Sequence, residues 1–380
     1  MMRVAIVAAE PSGDQLGAGL MAALRGSRPD IRFEGIGGAS MLDERLEPLF
    51  PMEKLSVMGL VEVLQHLPEL LAMRRKLIQR WSEDPPDLFI GVDAPDFNLA
   101  LERALKEKGV PTVHYVSPTV WAWREGRTAK LRAAAELVLC IFPFEKPFLE
   151  KHGVRAEYVG HPMAKAYPLH PDQDAARQEL QLDAQQPVLA LLPGSRVNEV
   201  KLLAPPFLQA ASRLAKRIPA LQVATPVATP KTGELLREIA RNEAPDLPLK
   251  TFPGKTAQVL TAADVALVAS GTATFEALLC KRPMVVGYRM NPLTHRIITG
   301  LGMLKTEYVA MANLLSREPL APEFLQDACT PGNLVAALEA CFHDSERTEH
   351  IRKVYAQTYR ELVMDTDTLA AAAVLALLEG

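Results

Sequence analysis

Residues 4–24 read VAIVAAEPSGDQLGAGLMAAL, and residues 187–208 read PVLALLPGSRVNEVKLLAPPFL. Each stretch starts with a short apolar run, passes through a turn that contains glycine and continues with the apolar spacing of an amphipathic helix. A buried strand, a tight turn and a helix form the opening unit of an open α/β sheet. The repetition therefore predicts two α/β domains of similar design within one chain.

Further apolar runs alternate with helical stretches along the chain. Candidate strands lie at residues 3–9, 32–36, 88–92, 112–116, 137–141 and 157–159, and then at 188–192, 221–224, 249–251, 265–268 and 284–288. This alternation is typical of parallel sheets with helices on both faces. Ligands of such sheets bind beyond the carboxyl ends of the strands. The predicted fold is α/β, with two Rossmann-like parallel-sheet domains facing a cleft.

Residues 161–173, HPMAKAYPLHPDQ, separate the two halves. Their three prolines disfavour both helix and strand, which is typical of a linker. We place the domain boundary here and predict an N-terminal domain at 1–165 and a C-terminal domain at 166–345. Residues 346–380 form C-terminal helices, for which the N-terminal domain is a candidate packing partner.

The composition is that of a folded protein without a polyanion-binding surface. The 380 residues carry 42 Lys and Arg against 45 Asp and Glu, and this net charge of −3 argues against nucleic acid as a partner. The four cysteines form no C-x-x-C pair, which disfavours a disulfide framework and a zinc site. The longest apolar run, at 369–378, is about half of the ~20 residues that a membrane span needs. The apolar run at residues 4–9 is too short for a signal-peptide core, so we expect a cytoplasmic location.

The turn after the first strand, Glu10-Pro-Ser-Gly-Asp14, is a candidate ligand site. Ser12 and Asp14 could cap the helix that follows, or Ser12 could face a ligand, since Gly13 lets another group approach the backbone closely. The turn lacks the G-x-G-x-x-G spacing of dinucleotide sites and the G-K-[ST] ending of a P-loop. Both of those functions are therefore disfavoured.

Carboxylates follow another apolar strand in Gly91-Val-Asp-Ala-Pro-Asp-Phe-Asn98. Asp93 and Asp96 are candidates for a general base, and Pro95 stiffens the loop that carries them. Asp96 could instead cap the helix predicted over 97–108. Asn98 is a candidate substrate ligand.

Two strand ends in the second half offer groups that bind phosphate. Leu192-Pro-Gly-Ser-Arg196 places a guanidinium beside a helix N-terminus, although Arg196 could pair with Glu199 at the surface. A run of small residues follows the predicted strand 265–268, and its backbone N–H groups could bind phosphate. Glu276 could accept hydrogen bonds from ribose hydroxyls. Close packing of a helix on its sheet would also favour small residues. The candidate residues of this run are Ser270, Gly271, Thr272 and Thr274.

Two Asp-x-Asp strings, at 172–174 and 365–367, could suggest a site for a divalent metal. Both precede predicted helices and neither follows a strand, so helix capping is the better explanation. We predict no metal and no cofactor.

Two further segments combine apolar and basic residues. Residues 114–124, HYVSPTVWAWR, hold two tryptophans beside cations, which suits sugars and phosphates but also occurs in cores. Residues 58–76, MGLVEVLQHLPELLAMRRK, carry an apolar stripe and a basic cluster, and Pro68 is expected to begin a second helical piece. Core packing is the default for the stripe. A patch that contacts acyl chains and anionic headgroups is the alternative.

Ten motifs, in order, resemble the lipid-A-disaccharide synthase family over essentially the whole chain. They are AEPSGDQLGA, GIGGASM, MGLVEVL, GVDAPDFN, HYVSPTVWAWR, FPFE, YVGHPM, LPGSR, SGTATFEAL and KRPMVVGY. SGTATFEAL alone would indicate only a wider class of nucleotide-sugar enzymes. Pro11 departs from the pattern, where a small or hydroxylated residue is expected.

The resemblance implies a two-domain inverting glycosyltransferase of the GT-B type. It would join UDP-2,3-diacylglucosamine to 2,3-diacylglucosamine 1-phosphate and release UDP. Residues that contact UDP would be Ser12, Arg196, Glu276 and Asn313, and the essential carboxylate would be Asp93. The resemblance also implies peripheral association with the cytoplasmic face of the inner membrane. A homodimer is a candidate assembly.

The chemistry of the residues agrees with this assignment. A carboxylate across the cleft, Asp93 first and Asp96 second, would take the proton of the acceptor hydroxyl. Arg196 and the helix N-terminus at 270–274 would stabilise the departing UDP without a metal. Two alternatives stay open, because fold does not determine function: a UDP-N-acetylglucosamine 2-epimerase-like enzyme and a non-catalytic nucleotide-sugar sensor.

Overall fold

Each of the two strand-turn-helix stretches starts a parallel sheet of its own. The computed structural model describes residues 1–55, 60–118, 127–290 and 308–379. The chain divides into a first unit of Met1–Lys165 with Leu362–Gly380 and a second unit of Ala166–Glu361. The prediction of two Rossmann-like parallel-sheet domains is confirmed.

The first unit is built on a parallel sheet of seven strands. The strands are β1 (Arg3–Ala8), β2 (Arg32–Ile36), β3 (Glu47–Pro48), β4 (Leu88–Val92), β5 (Thr112–Tyr115), β6 (Leu137–Cys140) and β7 (Ala156–Tyr158). Their order in the sheet is β3-β2-β1-β4-β5-β6-β7. The helices are α1 (Pro11–Ser27), α2 (Ala39–Asp43), α3 (Leu60–Glu83), α4 (Pro95–Lys106), α5 (Arg127–Ala134) and α6 (Glu145–Lys151).

The second unit is built on a parallel sheet of six strands. These are β8 (Val188–Leu192), β9 (Gln222–Val227), β10 (Leu249–Pro253), β11 (Val265–Ala269), β12 (Met284–Tyr288) and β13 (Glu323–Leu325). Their order is β10-β9-β8-β11-β12-β13. The helices are α7 (Gln173–Glu179), α8 (Val197–Ala215), α9 (Pro230–Glu243), α10 (Thr256–Ala262), α11 (Thr272–Leu279), α12 (Met311–Ser316), α13 (Pro331–His343) and α14 (Ser345–Leu362).

Both sheets reverse their strand order beside their first strand. Strand β1 lies between β2 and β4, and strand β8 lies between β9 and β11. Open α/β sheets bind ligands at such a switch point, outside the carboxyl ends of the strands. The turns that follow β1, β4, β8 and β11 are therefore the places where a site is expected.

Strand β1 is buried on both faces. Val4, Ile6 and Ala8 pack in a core cluster with α1. Ala5 and Val7 belong to a second cluster, which includes residues of α3 and α4. Alternate side chains of a strand point to opposite faces, so each face of this sheet has its own apolar core.

The final helix, α15 (Thr366–Glu379), packs against α1 in the first unit. Gly19 of α1 lies so close to the Asp367 carboxylate that a Cβ at this position would overlap it. Ala370 and Val374 are buried in the same cluster as one face of β1. The C-terminal end of the chain therefore completes the N-terminal core.

The predicted strands are all present, with ends that differ by at most three residues. Strands β3 and β13 were not predicted, because they have only two and three residues and lie at sheet edges, where no buried apolar run is needed. The prediction that Pro68 begins a second helical piece is wrong, since α3 continues through it. Pro68 itself is exposed, and its missing N–H removes one hydrogen bond of the helix without ending it.

Helix α1 begins without a side-chain cap. Glu10 occupies the N-cap position and its side chain makes no capping bond. Pro11 fills the first helical position, where the missing N–H costs nothing and the fixed φ suits the helix. Pro11, which departs from the family pattern, is thus compatible with this turn. Ser12 does not cap the helix.

Asp14 caps a different helix from the one that contains it. Its carboxylate is 5% exposed and accepts from the backbone N–H groups of Gly38, Ser40 and Met41 at 2.7, 2.9 and 3.0 Å. These donors lie at the start of α2, whose first N–H groups have no partner within the helix. Asp14 therefore joins α1 to α2 beside the carboxyl end of β1.

We expect Asp14→Ala to lower the free energy of unfolding by about 2–3 kcal/mol, because buried N–H donors lose their acceptor. Urea denaturation followed by circular dichroism measures this change. Asp43→Ala removes an exposed aspartate at the other end of α2 and should cost less than about 0.5 kcal/mol. Equal losses in the two variants would contradict the capping role.

Candidate active site

A pocket of about 310 Å³ lies at the carboxyl ends of β8 and β11 in the second unit. Its size falls in the range of small-molecule sites, about 300–1,000 Å³. The predicted residues that line it are Arg196, Ser270, Gly271, Thr272 and Glu276. Its further lining includes Glu199, Pro226, Ala228 and Thr256. These four were not predicted as ligands, although Ala228 and Thr256 follow β9 and β10 and their positions could have suggested them.

Arg196 occupies the N-cap position of α8. Glu199 accepts from the backbone N–H groups of Ser195 and Arg196 at 3.1 and 3.2 Å, which secures the turn. The guanidinium of Arg196 is 76% exposed and also pairs with Glu199, at 3.1 Å. The surface pairing considered above is therefore present. An exposed ion pair contributes little free energy, so a bound anion can compete for the guanidinium.

The start of α11 presents backbone donors to the pocket. Gly271, at the N-cap, has a φ of 147°, which favours glycine. The hydrogen bonds of the described residues leave the N–H groups of Gly271, Thr272 and Ala273 without an acceptor. By contrast, the N–H groups of Ser270 and Thr274 donate to backbone carbonyls, each at 3.1 Å. The N–H groups available to a ligand are therefore those of residues 271–273, fewer than the predicted run of 270–274.

Glu276 lines the pocket one turn into α11. The hydroxyl of Tyr167 donates to its Oε1 atom at 3.0 Å. Burial raises the pKa of the Glu276 carboxyl, and the bond from Tyr167 acts in the opposite direction. The carboxylate is thus held at the pocket wall, where it can accept hydrogen bonds from a ligand.

Thr274 lies behind the pocket wall. Its side chain is fully buried, and its hydroxyl donates to the carbonyl of Gly271 at 2.8 Å. The same oxygen accepts from the N–H of Met311 at 3.2 Å. Thr274 therefore holds the loop in place, and its predicted contact with substrate stays a prediction.

Asn313 is also a positioning residue in this structure. Its side chain is 1% exposed, and its amide donates to the carbonyl of Ala321 and to Glu323, both at 2.8 Å. Its side-chain oxygen accepts from the N–H of Ala321 at 2.8 Å. With these bonds formed, the side chain of Asn313 has no donor left for UDP. The predicted contact with UDP would require one of these bonds to be exchanged, and it stays a prediction.

The turn after β4 holds a strained backbone. Asp93 and Ala94 have φ values of 51° and 43°, and Val116, after β5, has a φ of 77°. Such conformations cost about 1–2 kcal/mol for residues other than glycine. Hydrogen bonds help to maintain them, since the N–H of Asp93 donates to Tyr115 at 2.8 Å and that of Val116 donates to Leu139 at 3.0 Å. Strain of this kind concentrates at functional sites.

The turns after β1 and β4 lie side by side. A Cβ on Gly13 would be 3.5 Å from the Cβ of Ala8 and 3.6 Å from the carbonyl oxygen of Val92. Ser12 is exposed and Asp93 is half-buried. The structure therefore brings Ser12, Gly13 and Asp93 to one edge of the first sheet.

A buried polar cluster supports the Asp93 turn from α4. Asn98 is fully buried, and its amide donates to the carbonyl of Asp93 at 2.9 Å. It therefore positions the turn, and its predicted contact with substrate stays a prediction. Glu102 lies one turn later and bonds to His114 of β5 at 2.6 Å, both fully buried. Burial raises the pKa of Glu102, while His114 lowers it.

Asp96 lies in the first turn of α4 and is exposed. Ala94 holds the N-cap position, and no side chain caps this helix. The capping alternative for Asp96 is therefore wrong, because the helix begins two residues earlier than predicted. Its carboxylate stays a second candidate for the base.

The other predicted motifs have simpler outcomes. Asp172 caps α7 by accepting from the N–H of Ala175 at 2.9 Å, as expected. In the described ranges, no three His, Cys, Asp or Glu side chains are grouped so that they could hold a metal ion.

None of the helices in those ranges has the length and hydropathy needed to cross a bilayer. Trp121 and Trp123 lie outside the described residues.

The architecture is that of GT-B glycosyltransferases and related epimerases. An Anabaena protein crystallised with UDP and glucose has a TM-score of 0.56 at 14% identity, over 99% of this chain and 100% of its own. A UDP-GlcNAc 2-epimerase from Neisseria meningitidis, bound to UDP-GlcNAc, has a TM-score of 0.58 at 11% identity, over 100% of both chains. These similarities define the fold class.

The family follows from the sequence comparisons. The family model for lipid-A-disaccharide synthetase matches residues 4–377. The lipid-A-disaccharide synthase of Alkalilimnicola ehrlichii is 48% identical over 381 aligned residues, which cover 100% of this chain and 99% of that protein. The chain belongs to the lipid-A-disaccharide synthase family and is a glycosyltransferase. The resemblance of the ten motifs is confirmed.

The strained turn leads to a stability prediction. We expect Ala94→Gly to raise the free energy of unfolding by up to about 1 kcal/mol, because glycine adopts the left-handed conformation without a steric cost. Turnover should fall, since a looser turn holds Asp93 less firmly. Urea denaturation and a turnover assay measure the two effects.

Ala100→Gly is the matched control in the middle of α4, where the same substitution should destabilise by about 1 kcal/mol. If Ala94→Gly destabilised the protein as much as Ala100→Gly, the left-handed conformation of Ala94 would carry no energetic cost, contrary to the prediction.

Proposed function

We propose that the protein transfers a diacylglucosaminyl group, with inversion, from UDP-2,3-diacylglucosamine to 2,3-diacylglucosamine 1-phosphate and releases UDP. The observation that carries the proposal is the pocket at β8 and β11, where Arg196, the amides of Gly271–Ala273 and Glu276 converge. A diphosphate requires cations and N–H donors, and a ribose requires a hydrogen-bond acceptor. Membership of the family supports the choice of acylated substrates.

The donor pocket suits a departing nucleoside diphosphate. Negative charge develops on the β-phosphate as the glycosidic bond breaks. Arg196 and the N-terminus of α11 would stabilise this charge, and a preoriented donor is more effective than water because it need not reorganise. Glu276 would accept from the ribose hydroxyls. No step of this scheme requires a metal.

Asp93 is the proposed general base. The acceptor hydroxyl must lose its proton as it attacks the anomeric carbon. Attack on the face opposite to the leaving UDP inverts the configuration at that carbon. The half-buried position of Asp93 at the switch point of the first sheet, on a turn that Asn98 supports, fits this role. Asp96 is the second candidate.

Acylated substrates bring the protein to a membrane surface in this proposal. Leu67 of α3 is 40% exposed, and Arg75 and Lys76 on the same helix are exposed as well. An exposed apolar side chain and exposed cations on one helix suit acyl chains and anionic headgroups at the cytoplasmic face of the inner membrane. A homodimer stays a candidate assembly, which analytical ultracentrifugation would test.

A UDP-release assay with diacylated donor and acceptor tests the function. We expect release only when both substrates are present, less release with their deacylated forms, and no change with a chelator. Loss of activity on chelation would contradict the metal-free scheme. Epimerised sugar formed from the donor alone would favour the epimerase-like alternative, and UDP binding without any release would favour the sensor.

Asp93→Asn should reduce turnover by about 10²–10⁴-fold, because the amide cannot take the acceptor's proton. Asparagine tolerates the left-handed conformation, so the turn and the affinity for UDP should be preserved. Turnover and UDP binding by calorimetry measure the two properties. Asp96→Asn is the matched control, and a larger loss there than at Asp93 would transfer the role of base to Asp96.

Arg196→Ala should reduce turnover by about 10²–10³-fold, which is the usual effect of removing one donor that stabilises developing charge. The fold should be unaffected, because the side chain is exposed and Glu199 can still accept from the N–H of Ser195. Lys201→Ala, an exposed cation on the same helix, is the control. Similar turnover in both variants would remove Arg196 from the mechanism.

A further inference from the structure

Tyr167 connects the predicted linker to the pocket. It belongs to residues 161–173, where the sequence suggests no chemical role, and its side chain is 8% exposed. Its hydroxyl donates to the Oε1 atom of Glu276 at 3.0 Å. Burial raises the pKa of the Tyr167 phenol, so this group stays protonated and remains a donor across the physiological range.

The backbone around Tyr167 is held from two sides. The hydroxyl of Tyr359, on α14, donates to the carbonyl of Tyr167 at 2.6 Å. The ammonium of Lys281, just after α11, donates to the carbonyl of Pro168 at 2.6 Å and lies 3.6 Å from the centre of the Tyr359 ring. All of these residues belong to the second unit. The phenol of Tyr167 therefore approaches Glu276 from a backbone that is already ordered.

We infer that Tyr167 is a positioning residue of the nucleotide pocket, which orients the Glu276 carboxylate so that it accepts hydrogen bonds from the ribose. This inference rests on the proposed function. Tyr167 donates to one carboxylate oxygen, and the second oxygen is left to accept from a ligand in the pocket that Glu276 lines. A carboxylate that is oriented in advance loses less conformational entropy when the nucleotide binds.

The charge state of Glu276 provides a test. Titratable groups around it are Tyr167, which donates to it, Arg196 and Glu199 in the pocket lining, and Cys280 just after α11. The phenol lowers the pKa of Glu276 against the effect of burial. Removing the phenol should therefore raise this pKa, and the pH below which UDP binding weakens should move upward.

We would measure UDP binding by calorimetry between about pH 5 and 8 for the unchanged protein and for Tyr167→Phe. Loss of a hydrogen bond to a charged group should weaken binding about tenfold near pH 7. The KM for the UDP-sugar should rise while kcat changes little. Tyr355→Phe is the matched control, because this buried phenol has no hydrogen-bond partner in the described part of the chain.

Glu276→Ala, which removes the acceptor of the Tyr167 hydroxyl, separates the inference from a general structural effect. If Tyr167 acts through Glu276, adding Tyr167→Phe to Glu276→Ala should weaken UDP binding by less than about twofold. A full tenfold loss in that background, or unchanged UDP affinity and pH profile in Tyr167→Phe alone, would overturn the inference and leave the proposed function intact. Absence of UDP binding by the unchanged protein would overturn both.

Discussion

The structure depends on the unpaired backbone groups at the carboxyl ends of its parallel strands. The backbone N–H and C=O groups of a central strand form hydrogen bonds with the neighbouring strands. The chain that leaves such a strand turns into a helix, and the first N–H groups of a helix have no acceptor within it. Two such strands, β8 and β11, lie together at the switch point of the second sheet. Their turns leave the amides of Gly271, Thr272 and Ala273 available beside Arg196.

The two units use the same edge in different ways. In the first unit, the N–H groups at the start of α2 are satisfied by the buried carboxylate of Asp14. The turn after β4, by contrast, has a strained backbone at Asp93 and Ala94. One unit therefore offers donors for an anion, and the other presents a carboxylate in a constrained position. This difference arises in the turns, because the strand order around β1 and β8 is the same.

In each unit, buried polar residues hold the turns that carry the candidate site residues. Asn98 secures the Asp93 turn, and Thr274 and Asn313 hold the loop at the start of α11 and the segment that follows. Such residues reduce the reorganisation needed when charge develops in a reaction. Arg196 is arranged differently, since its exposed pairing with Glu199 is weak enough to be exchanged for a phosphate.

The sequence alone determined the two sheets, because strands buried on both faces appear as continuous apolar runs and the turns that follow carry glycine, arginine and carboxylates. It also identified Arg196, Gly271, Glu276 and Asp93 as the residues at the strand ends. Only the tertiary structure decided the return of α15 to α1, the pair of Glu102 with His114, and the bond from Tyr167 to Glu276 across 109 residues. Apolar periodicity is a property of neighbouring residues, whereas the partner of a buried polar group is chosen by the folded chain.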